Sequence, residues 1–280
     1  MSAQPRVAVI VPCHDDGAYL VEAIGSAREE PDIELVVVDD CSSDPETLSI
    51  LAHLGAGIDV VHHEVNRGLA EARNTGLART TAPYVFPLDA DDLLQPGALA
   101  KMAAALDHDP GAVACYGDYC EFGDHTLLRT TPACLDPYRL AYRNEYPVTA
   151  LFRRSALAEA GGWRHIIPFT GYEDWDLWMT LAGAGSQATR LEPGEISYRR
   201  RVRQDSMLTS SRDHHRHLYR LLRRLHPAIF ENLTALRAGS DLPLRHKATY
   251  PILYGSRPRL PFERGLKSRL YRLRHGTRDG

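Results

Sequence analysis

The stretch FPLDADD, Phe86–Asp92, begins as an apolar run and ends with Asp89, Asp91 and Asp92 almost side by side. Carboxylates this close repel and each resists losing water, so the group implies solvent or a cation to answer its charge. Two further acidic pairs stand out. Asp39 and Asp40 close the run IELVVVDD, and Glu173 and Asp174 precede the apolar stretch WDLWMTLAGAG. The segment EVNRGLAEARN adds Arg67 and Arg73. Carboxylates beside arginines suit a divalent cation that carries a diphosphate. The structural alternatives are local. Asp91 or Asp92 would cap a helix starting near Pro96, Asp39 and Asp40 would cap the helix after them, Arg73 would lie on a helix surface, and Glu173 and Asp174 would be ordinary charges at a helix N-terminus. A calcium loop of the EF-hand type does not fit, because its Gly and Glu positions would fall on Leu94 and Ala100.

A repeating order of strand and helix must position these groups. RVAVIVP, Arg6–Pro12, is apolar on both faces, as a strand covered by helices on both sides should be. Tyr19, Leu20, Ala23 and Ile24 then recur at helical spacing. IELVVVDD is a second strand, and SSDPETLSILAHL opens with helix N-terminal signals ahead of Pro45 and Glu46. IDVVHHE and GLAEARNTGLART give a third strand and helix, and APYVFPLDADD a fourth strand. This alternation implies a largely parallel sheet with helices on both faces, where ligands bind beyond the carboxyl ends of the strands. PCHDD, DDCSSD, HHEVNR and DADD would then gather at one edge. Further along, Trp175, Leu177, Trp178, Met179 and Leu181 mark an amphipathic helix.

Six stretches, VAVIVPCHDDGAYLVEAIGSA, ELVVVDDCSSD, NRGLAEARNTGLA, YVFPLDADDLLQPGAL, LFRRSALAEAGGW and YEDWDLWMTLAGAG, resemble in kind and order those of the family 2 inverting glycosyltransferases of the GT-A fold. The resemblance runs from about Arg6 to Met207. It implies an α/β protein with a Rossmann-like, mostly parallel sheet: a GT-A domain over 1–207, with a nucleotide-binding half to about 110 and an acceptor half over 111–207. Residues 208–280 would form a helical, basic C-terminal extension. The implied activity is transfer of a sugar from a nucleotide diphosphate sugar to an acceptor hydroxyl, with inversion.

By the same resemblance, Pro12, Cys13 and His14 line the nucleoside pocket, and Asp40 accepts a hydrogen bond from the base with Asp39 beside it. Uracil or thymine fits a carboxylate there, so the expected donor is a UDP- or dTDP-sugar. Arg73 lies near the phosphates, where its fork suits oxyanions. Asp89 and Asp91, with Ala90 between them, form the DxD pair holding Mn²⁺ or Mg²⁺ on the diphosphate, supported by Asp92. Asp174 is the base for the acceptor hydroxyl, Glu173 orients it or the acceptor, and Asp176 falls one turn too far along. One departure is plain. Where the family often carries a histidine before an SM pair, this chain reads YRRRVRQDSM and places Arg203. Arginine does not ligate a metal but binds diphosphate.

Composition narrows the field. The 280 residues are 44% hydrophobic and carry a formal net charge of −3, which argues against a general nucleic-acid binder. Five cysteines, an odd number without zinc or disulfide spacing, read as free thiols of a reducing cytoplasm. The chain has neither a leader-like start nor an apolar run of roughly 20 residues, the length a membrane span needs. A cytoplasmic enzyme adding one or a few sugars to a saccharide, lipid-linked or small-molecule acceptor is expected. His62 to Glu64, on a strand, would face opposite ways and form no shared metal site. His214, His215 and His217 would sit on a solvated helix. Leu218, Leu221, Leu222 and Leu225 form an apolar stripe beside Arg216, Arg220, Arg223 and Arg224, and the terminal PFERGLKSRLYRLRHGTRDG has the same character. Such segments dock on a core, meet a partner subunit, or rest peripherally on the anionic inner face of a membrane. Pro251, Pro258 and Pro261 point to an irregular connection between them. Two other functions compete. A sugar-phosphate nucleotidyltransferase would need a Gly-rich basic loop after the first strand, where PCHDDGAYL is acidic; a non-catalytic nucleotide-sugar or carbohydrate-binding protein would have little use for Asp89, Asp91 and Asp174 together.

Overall fold

A computed structural model of the chain describes residues 4–166, 171–203 and 215–254. Its elements run β1 (Val7–Cys13), α1 (Gly17–Arg28), β2 (Ile33–Asp39), α2 (Pro45–Ala52), β3 (Asp59–His62), α3 (Leu69–Arg79), β4 (Tyr84–Pro87), β5 (Leu93–Leu94) and α4 (Ala98–His108). They continue with β6 (Ala112–Tyr116), β7 (Asp118–Gly123), β8 (Leu127–Arg129), α5 (Pro137–Leu140), β9 (Leu151–Arg153), α6 (Arg154–Ala160), α7 (Glu173–Gly183), β10 (Gln187–Arg190) and β11 (Ile196–Val202). After these come α8 (His215–Leu225), α9 (Pro227–Phe230), α10 (Leu233–Gly239) and α11 (Leu244–Tyr254).

Among the described residues the main sheet has the order β10-β6-β9-β4-β1-β2-β3. All its pairings are parallel except those of β9, which runs against β4 and β6. Every residue of β1 is buried, as its unbroken apolar run requires when helices cover both faces. Val9, Val11, Val37 and Phe86 meet Leu20 and Ile24 of α1 and Leu99 and Met102 of α4 in the core. On the other face α3 lies close against β1, and a Cβ at Gly76 would run into Ile10. That close approach brings Arg73, one turn earlier, down to the sheet. Parallel register also aligns the strand ends: Cys13 pairs with Asp39, and Asp39 with His62.

A second sheet, β5-β11-β7-β8, fixes the segment after β4. β5 pairs antiparallel with β11, and Gln95 donates its N–H to the Ser197 carbonyl. The acidic turn between β4 and β5 is therefore clamped at both ends by sheets.

One compact unit extends through Asp241, past the Met207 limit expected from sequence, because α8, α9 and α10 pack on it. Tyr219 of α8 donates its hydroxyl to the Ala141 carbonyl, and its ring lies 5.9 Å from that of Trp175. Leu218 and Leu222 are buried while Arg216, Arg220, Arg223 and Arg224 are exposed, so the apolar stripe and basic outer face are both present. His217 is exposed, but His215 is not merely solvated: its Nδ1 is 2.8 Å from the Tyr172 hydroxyl. His214 lies outside the described residues. The second unit begins at Leu242, and its helix α11 contains Pro251. That proline was expected to break structure. It lies near the end of the helix, which accommodates it at the loss of one N–H bond. Pro258, Pro261 and the terminal basic segment lie outside the described residues. No described helix is long and apolar enough to cross a membrane.

Candidate active site

The carboxyl ends of β1 to β4 bring the expected residues to one edge. Pro12 and Cys13 are buried in the end of β1, and burial pushes the Cys13 thiol up to about 12. His14 is exposed beyond them, with Nε2 3.1 Å from Asn66 Nδ2. Asp39 and Asp40 are not helix caps, since Asp44 caps α2 by accepting the Thr47 N–H at 2.7 Å. Instead Asp39 accepts the Ser42 N–H at 2.9 Å and contacts His62 Nδ1 at 2.9 Å. Burial opposes its ionisation, but donors from Ser42 and His62 outweigh burial and hold Asp39 below the usual carboxylate range.

Asp40 is more fully occupied. Its Oδ1 accepts from His63 Nδ1 at 2.7 Å and the Arg67 N–H at 2.8 Å, and its Oδ2 accepts the Gly68 N–H at 2.7 Å. Gly68 adopts φ +87°, a conformation few other residues accept, and this turns its N–H toward the carboxylate. With Nδ1–H donating to Asp40, His63 Nε2 accepts from the Thr75 hydroxyl at 2.9 Å. The two histidines thus face different carboxylates, as strand alternation predicts. His63 is a site residue that sequence reasoning passed over. Its available signal was the repeated spacing of DD on β2 and HH on β3.

The acidic turn is answered by arginines. Arg73, expected on a surface by the local alternative, is completely buried. Its guanidinium reaches Asp89 Oδ1 at 2.7 Å and Glu173 Oε1 at 3.2 Å, joining the strand edge to the first turn of α7. Burial opposes the charge, yet Asp89 and then Glu173 hold Arg73 above its ordinary value. Arg203 Nε contacts Asp91 Oδ2 at 3.0 Å, its NH2 contacts Asp16 Oδ1 at 2.7 Å, and its guanidinium stands 4.9 Å from the Tyr19 ring centre. Burial, then repulsion from Asp89, pushes Asp91 up to about 6 and Asp92 well above the usual range. Neither caps α4, whose first residue follows Gly97. Asp92 accepts the Arg201 N–H at 2.8 Å, so β11 holds the turn from beneath. Ala90 is buried between the pair.

Across from this edge, Glu173 and Asp174 occupy the first turn of α7 behind Tyr172, which has φ +69°. Asp174 is half-buried and accepts Asn144 Nδ2–H on Oδ2 at 2.7 Å. Burial, then the neighbouring Glu173, pushes Asp174 up to about 7 against the N–H groups of the helix start and Arg73. Asp176 is turned away into a buried contact with His226 at 2.8 Å and with Arg164 at 3.3 Å. Asn144 was not found from sequence, because a lone asparagine in an irregular loop carries no signal. Ser206 and Met207 lie outside the described residues. Among the described residues no group of three or more His, Cys, Asp or Glu side chains is arranged to hold a metal.

A parallel sheet with an acidic turn at its strand ends, faced by a helix-borne carboxylate, defines a GT-A-type transferase. The chain belongs to glycosyl transferase family 2, whose model matches residues 8–161. It is 31% identical over 216 residues to EpsE of Bacillus subtilis (strain 168), assigned as a glycosyltransferase, covering 74% of this chain and 76% of that one. Four other curated relatives, including proteins named for succinoglycan and teichuronic acid biosynthesis, are matched over only 13% to 40% of their own length. The fold is shared with S. aureus TarS solved with UDP-GlcNAc, at TM-score 0.63 and 21% identity over 88% of this chain and 70% of that one. It is also shared with mannosyltransferase PcManGT from Pyrobaculum calidifontis, solved with GDP-Man and Mn²⁺, at TM-score 0.59 and 22% identity over 97% and 81%.

Proposed function

We propose that this protein transfers a sugar from a UDP- or dTDP-sugar to an acceptor hydroxyl with inversion, in the building of a polysaccharide or other glycoconjugate. The observation that carries the reading is the bridge Asp89–Arg73–Glu173, which ties the acidic turn to the helix bearing Asp174 through one buried guanidinium. His14, Asp39 and Asp40 face the base, with Pro12 and Cys13 as the wall behind them. Arg203 meets the diphosphate, and Arg73, wholly buried behind Asp89, adds positive charge from beneath. Asp89 and Asp91 are the residues that would hold Mn²⁺ or Mg²⁺. Each lends one oxygen to an arginine and keeps the other, and two carboxylates completed by substrate phosphate oxygens form a set these ions use. Such an ion, when bound, neutralises charge developing on the departing diphosphate.

Asp174 takes the proton of the acceptor hydroxyl as that oxygen attacks the anomeric carbon from the face opposite the diphosphate. A group held near 7 is matched to this task, since a base works best when its pKa lies near the working pH. Glu173 keeps Arg73 in register and thereby the distance between leaving-group and acceptor sides. The test is a screen of nucleotide sugars for nucleotide release, followed by acceptors with the selected donor, with and without excess chelator. Product NMR then reads the anomeric coupling constant: an α-linked D-sugar donor should give a β-linkage, and retained configuration overturns the mechanism. Nucleotide release undiminished by chelator would remove the ion and leave Arg73 and Arg203 as the diphosphate's counter-charges.

A further inference from the structure

We propose that Asn144, in the irregular segment between α5 and β9, is the positioning residue of the acceptor-side base. The inference deepens the reading above and rests on Asp174 being that base. The side-chain amide of Asn144 is fixed at both ends. Its Oδ1 accepts the Tyr146 N–H at 3.1 Å, which leaves Nδ2 to donate to Asp174 Oδ2 at 2.7 Å. An amide anchored by a backbone donor does not flip, so it presents N–H and never oxygen to the carboxylate. Asn144 therefore holds Oδ2 and reserves Oδ1 for the acceptor hydroxyl, choosing which oxygen and which lone pair meets the substrate. It also favours the charged form, since a donor aimed at a carboxylate stabilises the anion.

The surroundings leave this role to few other groups. Arg73 on α3 and Glu173 on α7 act on Asp174 through charge. Among the described residues, the remaining charged groups on elements packed against α7 are engaged elsewhere or exposed. Arg139 of α5 pairs with Glu145 and Asp241. His226 and Arg164 meet Asp176. Arg154 of α6 donates to the Leu77 and Ala82 carbonyls, and Glu159 is exposed.

Two substitutions separate positioning from scaffolding. Asn144→Asp keeps the acceptor for the Tyr146 N–H but replaces the donor with a like charge, whereas Asn144→Ala removes both contacts. The readouts are the acidic limb of kcat/KM against pH, with the donor selected by the screen, and the titration of Asp174 followed by ¹³C NMR in aspartate-labelled free protein. The Asp174 signal is assigned by its loss in Asp174→Asn. Asn144→Ala should move both the limb and the titration to higher pH by about one to two units, the scale of one hydrogen bond to a charged group. Asn144→Asp should move them further, with kcat reduced and donor KM unchanged. A purely structural Asn144 would make Asn144→Asp the milder change, with activity falling only as Tm falls; an unmoved limb in both variants overturns the proposal. An Asp174→Asn variant at full activity overturns the base itself, and a displaced NMR titration beside an unmoved limb overturns only the catalytic use of Asn144.

Discussion

The carboxylates at the strand ends and the one on the facing helix are held by opposite means. Asp39 and Asp40 are among the most enclosed acids of the protein, yet each is met by backbone N–H groups and a histidine, and Asp39 lies below the usual range. Asp174 is less enclosed by surface but meets one amide and the start of a helix, with Glu173 adjacent, and it rises to about 7. Burial penalises the charge in both places, and the number of donors decides the outcome. At the strand end the donors around Asp39 hold it below the usual range, while Asp174, with fewer donors, is left with a raised value.

The largest effect should come from breaking the second arrangement. Asp174→Asn nearly preserves shape and still accepts from Asn144, but it cannot take a proton. Turnover should fall by about 10² to 10⁴-fold with donor affinity unchanged by calorimetry. In the parent, kcat/KM should rise with pH through about 7, as the base form appears. Stability should follow the same group with opposite consequence. Between the unfolded value near 3.8 and the folded value near 7 the native state binds more protons, so stability is lost as pH rises through that window. The Asn variant escapes this loss. Its Tm should exceed the parent's at pH 8, by roughly 2–4 °C for each kcal/mol recovered, and match it below about pH 4.

The bridge between the regions should give the next largest effect. Arg73→Met keeps the volume but strands Asp89 and Glu173, next to Asp91 and Asp174, without their counter-charge. Removing one partner of a buried pair costs about 3–5 kcal/mol, measurable by urea unfolding, and should abolish donor binding. A loss below about 1 kcal/mol would mean that the bridge holds neither region.

The two regions also differ in how well the sequence announces them. The strand-end half was legible because each acid closes an apolar run, and parallel register carries all such ends to one edge. Asp39, Asp40, Asp89 and Asp91 could be placed without coordinates. Even there the partners were hidden: that Arg73 is wholly buried depends on the Gly76–Ile10 approach, which no local pattern states. On the facing side, Glu173 and Asp174 gained a role only through resemblance, because an acid in a first helical turn is common. Asn144 lies 30 residues from Asp174, and α5 and α7 bring it there through long-range packing that periodicity does not encode. The helical extension after Met207 was legible as helices, but its partners were not, for the same reason, since Tyr219–Trp175 and His226–Asp176 are tertiary contacts.

A smaller effect sharpens the account of the saturated acids. In Asp40→Asn, one of the two carboxylate oxygens becomes an NH2 that faces an N–H donor from His63, Arg67 or Gly68. An unsatisfied pair of donors costs about 1–3 kcal/mol. Asp39→Asn, whose donors are the Ser42 N–H, the Ser42 hydroxyl and the exposed His62, should cost less in the same unfolding experiment, because the hydroxyl can rotate and His62 can turn to solvent. Equal losses would break the claim that fixed backbone donors, rather than rotatable or exposed ones, distinguish the two neighbours.

The smallest effect on stability, and the most discriminating on binding, should come from Arg203→Gln. Its side chain is 30% exposed and its partners Asp91 and Asp16 are partly exposed too, so losing these pairs should change stability by no more than about 0.5 kcal/mol. If Arg203 leaves Asp91 to meet the diphosphate when the donor arrives, UDP affinity should fall several-fold, and the deficit should shrink as salt screens the parent's contact. If it serves only as a resting counter-ion, removing it frees Asp91 for the divalent cation, and UDP affinity in saturating Mn²⁺ should stay level or rise. Calorimetric titration of UDP into parent and variant, at two salt concentrations with Mn²⁺ present, separates these outcomes. A salt-independent loss would point instead to the ring of Tyr19, 4.9 Å from the guanidinium, as the element that Arg203 holds in place.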